Sequence, residues 1–537
     1  MKIKCLGAIR TVTGSSFQLD NPSGGQILID CGLFQGGRQT ELRNFNSALY
    51  KPQEAKAIVL THAHMDHSGL VPRLVKAGYR GPVYSTVATS ELLKILWLDA
   101  AHIQEHEAEW KTKKNKRQGQ NKVEPLYTEE DALKANELLV PCPANEPVEI
   151  QPGFQVTLIP AGHILGAASV FVRALEDGVE SKILFSGDLG RQGQLLIPDP
   201  QIPPPADLIF METTYGQRFH KDLGASIEEL VSVINQAYQE GGKILIPTFA
   251  VERTQEILFL LSTLWHANRI PKDIPIILDS PLATAASEIY VQNPHLFDQE
   301  TKRLIKEGLT PLSMKTLQVT RSAEDSQKIN DIQGPAIILA GSGMANAGRI
   351  LHHLKHNLWR PNCHVVFVGF QAQGSTGRRL VDGAEMVKIF REPVLVKAKI
   401  HTIGGFSGHA DQAELVAWLK PQLHPQLTVV LVHGEEAGTI AFEAHLNKLF
   451  PEIKTVIPQW LDTLETEGLR LAPTLEPQEA PREEVFGELD GAWRDSFQNR
   501  LERLKALMAN RERPLGPAEL ANLENLLSQA EEMVLRY

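Results

Sequence analysis

The most constraining feature of this 537-residue chain is a short segment that follows the apolar run KAIVL. Residues 61–69 read THAHMDHSG and place four side chains that can bind metal within six positions: His62, His64, Asp66 and His67. A turn directly after a buried strand brings all four to one sheet edge. His62 and His64 fall on one side of an extended turn, and Asp66 and His67 can swing to the other. The segment therefore predicts two metal ions a few ångström apart.

Three later positions repeat this context of a strand end followed by a loop with glycine. They are His163 in PAGHILGAAS, Asp188 in LFSGDLG and His433 in VLVHGEE. With the first segment they complete two predicted metal sites that share Asp188: His62, His64, His163 and Asp188 form one, and Asp66, His67, Asp188 and His433 form the other. Asp30 ends another strand in ILIDCGLFQGG and is expected to orient a ligand imidazole instead of binding metal.

The residue types indicate which metal the site prefers. Imidazole and carboxylate without thiolate favour zinc, with manganese and iron as alternatives. The four cysteines are scattered and contain no CxxC pair, which indicates neither a disulfide framework nor a zinc finger. The structural alternative for residues 62–67 is a histidine-rich turn on the surface. The matching contexts of His163, Asp188 and His433 argue against this alternative.

Length and patterning predict several domains, one of which interrupts another. A chain of 537 residues is too long for one hydrophobic core. Short β-rich runs fill the first 212 residues, whereas the following part alternates helical segments with buried strands, as in parallel βαβ units. The early β-rich pattern returns near residue 394. Beyond residue 474 a linker rich in Pro and Glu precedes two amphipathic helical segments.

The segment THAHMDH, with the later contexts of Asp30, His163 and Asp188, resembles the metallo-β-lactamase superfamily. METTYG with Glu212, GGFSGHAD with His409 and LVHGEE with His433 resemble its β-CASP branch. This resemblance covers about residues 1–470 and extends to bacterial and archaeal ribonucleases and to the nuclease subunit of the eukaryotic pre-mRNA cleavage and polyadenylation factor.

The resemblance implies an α/β fold, a metallo-β-lactamase αββα sandwich with an inserted α/β β-CASP domain and a C-terminal helical extension. The expected domains are 1–212 and 394–473 for the two parts of the metallo-β-lactamase domain, 213–393 for the β-CASP domain, and 474–537 for the linker and helical tail.

The resemblance further implies hydrolysis of RNA phosphodiester bonds by a hydroxide activated between two zinc ions, leaving 5'-phosphate and 3'-hydroxyl ends. We assign catalysis to Asp66, to His409 as general acid and to Glu212, which would hold the His409 ring. A turn cap before Thr213 is the structural alternative for Glu212, and a helix cap before DQAELVAW is the alternative for His409. RNA is expected over DNA because RNA-cutting members of the family carry histidine at the position of His433.

The sequence indicates phosphate-binding residues less specifically than it indicates metal ligands. The glycine-rich run LAGSGMANAGR follows a buried strand and opens a helix, so its amides, Ser342 and Arg349 are candidates for binding RNA phosphate. Ser280 in LDSPLA and Gln373 in FQAQGST are weaker candidates, and an ordinary tight turn explains the glycines equally well. The basic segment at residues 111–122 is expected as a solvated loop that could reach the RNA backbone.

Competing functions follow from the same motifs. A small-molecule hydrolase, such as a thioesterase similar to glyoxalase II, would use the same metal ligands but leaves the long insertion and His409 unexplained. An RNA-binding subunit that needs a partner, and a DNA nuclease, are further alternatives. We expect single-stranded RNA in the cleft between the two domains, a cytoplasmic protein without membrane spans, and dimerisation through the apolar stripe of the tail as a hypothesis.

Overall fold

The computed structural model describes residues 1–474, apart from 22–24, 47–48, 118–120, 177, 310–313, 370, 372–373 and 468–469. The chain divides into two units, one of Met1–Phe34 with Leu49–Thr474 and one of Gln35–Ala48 with Leu475–Tyr537. All elements of the candidate site belong to the first unit. The expected helical tail and Gln373 lie outside the described residues.

In the described residues the strands are β1 (Lys2–Gly7), β2 (Ser16–Asn21), β3 (Gly25–Ile29), β4 (Ala55–Val59), β5 (Val83–Thr86), β6 (Leu139–Cys142), β7 (Pro147–Gln151), β8 (Phe154–Pro160), β9 (Ala168–Glu176), β10 (Val179–Phe185), β11 (Leu208–Glu212), β12 (Lys243–Pro247), β13 (Ile276–Leu278), β14 (Leu317–Val319), β15 (Ala336–Ala340), β16 (His364–Phe367), β17 (Met386–Ile389), β18 (Glu392–Leu395), β19 (Lys399–Thr402), β20 (Thr428–Val432), β21 (Lys454–Val456), β22 (Thr463–Glu467) and β23 (Arg470–Thr474). The α-helices are α1 (Arg38–Leu42), α2 (Met65–Ser68), α3 (Val71–Lys76), α4 (Val87–Lys116), α5 (Glu129–Glu137), α6 (Leu223–Glu240), α7 (Arg253–His266), α8 (Pro281–Gln292), α9 (Gln299–Lys306), α10 (Ala323–Lys328), α11 (Ile350–Asn357), α12 (Thr376–Val381), α13 (Gln412–Leu419) and α14 (Glu436–Leu449).

Two large sheets form the expected sandwich. Their strand orders are β23-β22-β1-β2-β3-β4-β5-β6 and β21-β20-β11-β10-β9-β8-β7. Because side chains alternate along a strand, one face of each sheet fills the core between them, as Ile29 of β3 and Val172 of β9 do. The opposite faces belong to a second core cluster, which contains Leu28 of β3 together with Leu92 of α4 and Phe442 of α14. The αββα prediction is thus confirmed.

A six-stranded sheet, in the order β14-β13-β15-β12-β16-β19, forms the inserted α/β part. Its neighbouring strands are all parallel. Ile244 and Ile246 of β12 lie in a core cluster with Leu230 of α6, whereas Leu245 lies in a cluster with Leu354 of α11. Helices therefore cover both faces of this sheet, which explains why its strands are continuously apolar.

One strand lies in a different sheet from the expected one. The run LVKAKIHTI follows residue 394, where the early β-rich pattern returns, and was therefore expected in the sandwich, but its strand β19 pairs in parallel with β16 of the six-stranded sheet. The apolar alternation of β19 fits either sheet, and only the long-range pairing decides between them. The domain boundary at residue 394 stays a prediction.

The basic segment at residues 111–122 is not wholly a loop. Helix α4 begins after its N-cap Thr86, whose side chain accepts a hydrogen bond from the Thr89 amide, and it continues to Lys116. Lysines in its last turn favour the negative end of the helix dipole, which supports helix where a loop was expected. Neither α4 nor any other helix in the described part of the chain is long and apolar enough to cross a membrane.

Candidate metal centre

Parallel strands bring the candidate ligands to one edge of the sandwich. In the seven-stranded sheet, β8, β10, β11 and β20 all run in the same direction. His163 follows β8, Asp188 follows β10, Glu212 ends β11 and His433 follows β20, so all four meet at the carboxyl edge. In the facing sheet β3 runs parallel to β4, and Asp30 directly follows β3.

The first ligand group contains three imidazoles and one carboxylate. His64 Nδ1 lies 3.2 Å from His62 Nε2 and 3.3 Å from His163 Nε2. Asp188 Oδ2 lies 3.6 Å from His62 Nε2 and 3.7 Å from His163 Nε2. All four ligand atoms lie within 4.8 Å of one another, which is the spacing needed to hold one metal ion.

The second ligand group lies on the other side of Asp188. It contains Asp66, His67 and His433, whose ligand atoms also lie within 4.8 Å of one another. His67 Nε2 is 3.3 Å from His433 Nε2, and Asp66 Oδ2 is 3.7 Å from the same His433 atom. Asp188 Oδ1 lies 3.3 Å from His67 Nε2. The two carboxylate oxygens of Asp188 therefore face the two groups separately, which is the arrangement that a bridging ligand requires.

The chemistry of these side chains fits divalent metal. Asp188 Oδ1 is buried and has no hydrogen-bond donor in good geometry among the described residues. Burial lowers the pKa of His64 to about 4. Burial and neighbouring imidazoles hold the pKa values of His62 and His163 well below the usual value for histidine. These three rings are consequently neutral at pH 7, which is the form that binds metal.

Hydrogen bonds behind the ligands fix which ring nitrogen faces inward. His67 Nδ1 lies 2.7 Å from Asp30 Oδ2, and His163 Nδ1 lies 2.9 Å from the Gly408 carbonyl oxygen. Asp30 is itself held by the amide and hydroxyl of Thr61, at 2.8 and 3.0 Å. Asp30 has a φ of 58°, a left-handed conformation that few residue types other than glycine, Asn and Asp adopt readily. This geometry supports the proposed orienting role of Asp30.

Replacing Asp30 by Asn should weaken metal binding about 10- to 100-fold without unfolding the protein, because the amide tolerates the left-handed backbone but removes the charge facing His67. Competition with a metal-sensitive dye would give the affinity. The matched control is Ser15→Ala, which removes a weaker 3.2 Å hydrogen bond to the same carboxylate. Equal affinities for wild type and Asp30→Asn would contradict the orienting role.

Glu212 and His409 lie together beside the first ligand group. Glu212 Oε1 accepts a hydrogen bond from the Leu189 amide at 2.5 Å, and Oε2 accepts one from Thr214 at 3.3 Å. His409 Nδ1 lies 3.5 Å from Glu212 Oε1 and 3.9 Å from Asp188 Oδ2. The turn-capping alternative thus describes part of what Glu212 does, because its bond to Thr214 coexists with the contact to His409.

The surroundings of His409 favour its protonated form. Burial lowers the pKa of His409, but the carboxylates of Glu212, Asp188 and Glu252 outweigh burial and raise it to about 9. His409 is not the cap of the helix that follows it, because Asp411 accepts the hydrogen bonds from the first amides of α13. His409 can therefore hold a proton next to the ligand groups.

The sequence analysis did not single out Glu252, which lies in the run PTFAVERTQE at residues 247–256. This buried carboxylate precedes α7, has a φ of 74°, and its Oε1 lies 2.6 Å from where a Cβ on Gly408 would be. Only glycine at position 408 leaves room for this approach. Glutamate before an apolar helix has no distinctive spacing, so only the fold shows that Glu252 adjoins His409.

The candidate phosphate contacts are engaged in local bonds. Ser280 caps α8 by accepting a hydrogen bond from the Ala283 amide. The Ser342 hydroxyl accepts hydrogen bonds from two amides within its own loop, and Arg349 Nη1 lies 2.7 Å from buried Asp279 Oδ1. None of these bonds reaches a residue of the metal centre. Their assignment to RNA stays a prediction.

Comparison with known proteins agrees with this geometry. Residues 11–232 match the metallo-β-lactamase superfamily, residues 254–380 match the β-CASP domain, and residues 393–458 match the Zn-dependent metallo-hydrolase RNA specificity domain. Over 441 residues the chain is 41% identical to Ribonuclease TTHA0252 of Thermus thermophilus, covering 82% of this chain and 95% of that relative. The chain belongs to the β-CASP family of metallo-β-lactamase hydrolases.

Other β-CASP relatives are archaeal. The chain is 31% identical over 485 residues to Transcription termination factor FttA of Pyrococcus abyssi, covering 86% of this chain and 71% of the relative. It is 28% identical over 475 residues to Transcription termination factor FttA of Methanocaldococcus jannaschii, with the same coverage of both chains. The family suggested by residues 61–69, Glu212, His409 and His433 is thereby confirmed.

Proposed function

We propose that this β-CASP hydrolase is a zinc-dependent ribonuclease that cleaves single-stranded RNA in the cleft between the sandwich and the six-stranded sheet. The observation that carries the proposal is the convergence of two ligand groups on Asp188, with His409 only 3.9 Å from the same carboxylate. The relatives are a protein named as a ribonuclease and proteins named as transcription termination factors, and these names support RNA as the substrate.

We propose that His62, His64, His163 and Asp188 hold one zinc ion and that Asp66, His67, Asp188 and His433 hold the second, with manganese as the alternative metal. When bound, such ions lower the pKa of water towards neutrality and neutralise charge on the phosphodiester. Burial raises the pKa of the Asp66 carboxyl, but the neighbouring imidazoles of His433, His67 and His64 together outweigh burial and lower this pKa to about 2, so the carboxylate is ionised at pH 7.

His409 supplies the proton that the departing ribose 3' oxygen needs, which leaves a 3'-hydroxyl on one product and a 5'-phosphate on the other. Glu212 positions the ring from behind, while its own oxygens are held by the Leu189 and Thr214 amides. The side chain of His409 is 23% exposed, so its ring can meet a substrate while Glu212 stays fully buried. This division assigns proton transfer to His409 and positioning to Glu212.

Incubation of the zinc-loaded protein with 5'-labelled single-stranded RNA and with DNA of the same sequence tests the proposal. We expect metal-dependent RNA fragments with 5'-phosphate and 3'-hydroxyl ends, and DNA left intact. A chelator and the His64→Ala variant are the controls, and both should stop cleavage. Absence of RNA cleavage by protein that carries two zinc ions would reject the ribonuclease proposal in favour of a small-molecule hydrolase or a subunit that needs a partner.

A further inference from the structure

Two loops from different elements hold the segment that carries His409. The first, residues 213–222, joins β11 to α6. Its His220 places Nε2 2.8 Å from the His409 carbonyl oxygen and donates its amide to Asp411 at 3.1 Å. The second, residues 248–252, joins β12 to α7, and its Glu252 packs against Gly408. Both loops therefore border the general acid directly.

Each of these loops presents an exposed phenyl ring. Phe219 directly precedes His220 and is 68% exposed, and Phe249 lies three residues before Glu252 and is 45% exposed. Both rings therefore leave apolar surface in contact with water, and covering that surface with a ligand would be favourable. Single exposed apolar residues are common, and these two indicate a role because each lies on a loop that contacts Gly408 or His409.

The Phe249 ring packs closely against a glycine of a neighbouring loop. Its Cδ2 atom lies 2.7 Å from where a Cβ on Gly343 would be, so a side chain at position 343 would collide with the ring. Gly343 belongs to the loop between β15 and α11. One part of the ring thus packs against a glycine backbone, and the remainder stays open to a ligand.

Cations accompany the Phe219 ring. Arg218 precedes it, with Cζ 5.9 Å from the Tyr215 ring centroid, and Lys221 follows two residues later. Lys221 is 63% exposed and its Nζ lies 3.9 Å from a Glu229 carboxylate oxygen, a contact too long and too exposed to neutralise it fully. A polyanion that presents flat rings between its charges is the ligand that this combination of phenyl ring and cations suits best.

We propose that Phe219 and Phe249 stack on bases of the RNA strand on either side of the phosphate that His409 serves. This inference rests on the proposed ribonuclease function. Stacking on an aromatic ring requires a base that is not already paired and stacked, which makes the site selective for single-stranded RNA. Because every base has a π-face, the two rings bind RNA without reading its sequence.

Kinetics on full-length, zinc-loaded protein test each ring separately. Phe219→Leu and Phe249→Leu keep an apolar side chain but remove the π-face, and each should raise KM for 5'-labelled single-stranded RNA about tenfold. The corresponding Tyr variants should restore KM to within about twofold. Phe390→Leu is the matched control, because Phe390 is 47% exposed on the β17–β18 turn, and its KM should equal that of wild type.

A series of the same RNA, each with one abasic position, locates the stacked base. If Phe249 stacks on a given base, removing that base should abolish the difference between wild type and Phe249→Leu, and the same holds for Phe219 at another position. A ring whose Leu variant keeps the wild-type KM, or whose effect is unchanged on every abasic RNA, does not stack, and the proposal is wrong for that ring. Failure of the wild type to cleave RNA would instead reject the proposed function.

Discussion

Replacing Asp188 by alanine should remove both metal ions and reduce RNA cleavage by roughly 10³-fold or more. The two oxygens of Asp188 face different ligand groups, with Oδ2 3.6 Å from His62 and Oδ1 3.3 Å from His67. Without Asp188, the first group keeps three imidazoles, and the second keeps two imidazoles and the Asp66 carboxylate. Both groups lose the negative charge that they share. Zinc content per chain after gel filtration, measured beside RNA cleavage, checks the result.

Two variants serve as controls for this result. Asp66→Ala removes a ligand from the second group alone, so we expect about one zinc ion per chain instead of two. Asp207→Asn changes a carboxylate on the same sheet that binds the Lys182 amide at 2.9 Å and faces no ligand, so both ions should stay. Two tightly bound ions in Asp188→Ala would show that Asp188 does not bridge them.

Replacing His409 by alanine should keep both metal ions and lower the turnover of RNA about 10²- to 10⁴-fold, because the departing 3' oxygen loses its proton donor. The His409 ring belongs to neither the four-residue nor the three-residue ligand group, so both metal ions should stay bound in the variant. The comparison substrate is bis(p-nitrophenyl) phosphate, whose leaving group departs without protonation. His409→Ala should therefore lose much less activity on this ester than on RNA, and equal losses on the two substrates would contradict the general-acid assignment.

Glu212→Gln is the companion variant for the positioning role. Burial lowers the pKa of His409, but neighbouring carboxylates raise it to about 9, and Glu212 makes the largest contribution to this increase. Activity that requires protonated His409 is present below that pKa and is lost as pH rises through it. Removing the Glu212 charge should therefore move the alkaline limb of the profile of kcat against pH to lower pH, whereas a purely structural role would lower kcat equally at every pH.

The candidate metal ligands could be recognised in the sequence because they share a local context. His62, His64, Asp66 and His67 are neighbours in sequence, and His163, Asp188 and His433 each follow an apolar strand. In a sandwich with parallel strands such positions must gather at one edge, so their gathering follows from strand direction, whereas their division into two groups depends on where each side chain points. The αββα sandwich was expected from the family resemblance, whereas the inserted α/β sheet was indicated by its alternating helical and apolar segments, because hydrophobic periodicity is local.

Features that depend on how distant segments pack were not predictable. The pairing of β19 with β16 depends on a register that the strand's own residues do not specify. The approach of Glu252 to Gly408 and the exposure of Phe219 and Phe249 beside His409 depend on loops separated by more than a hundred residues. The ion pair between Arg349 and Asp279 joins residues 70 positions apart, and the sequence near neither residue indicates it.

The sequence by itself determined the candidate ligand types, the strand ends that carry them and the apolar patterns of the strands, because each depends on covalent order and on side-chain periodicity. Tertiary structure alone decided which ring nitrogen of His67 and His163 faces inward, since Asp30 and the Gly408 carbonyl oxygen reach those rings only through packing. It also decided that Glu212, Asp188 and Glu252 surround one imidazole. These carboxylates are far from His409 in the sequence. They act on its ring only because folding brings the groups together and removes the water between them.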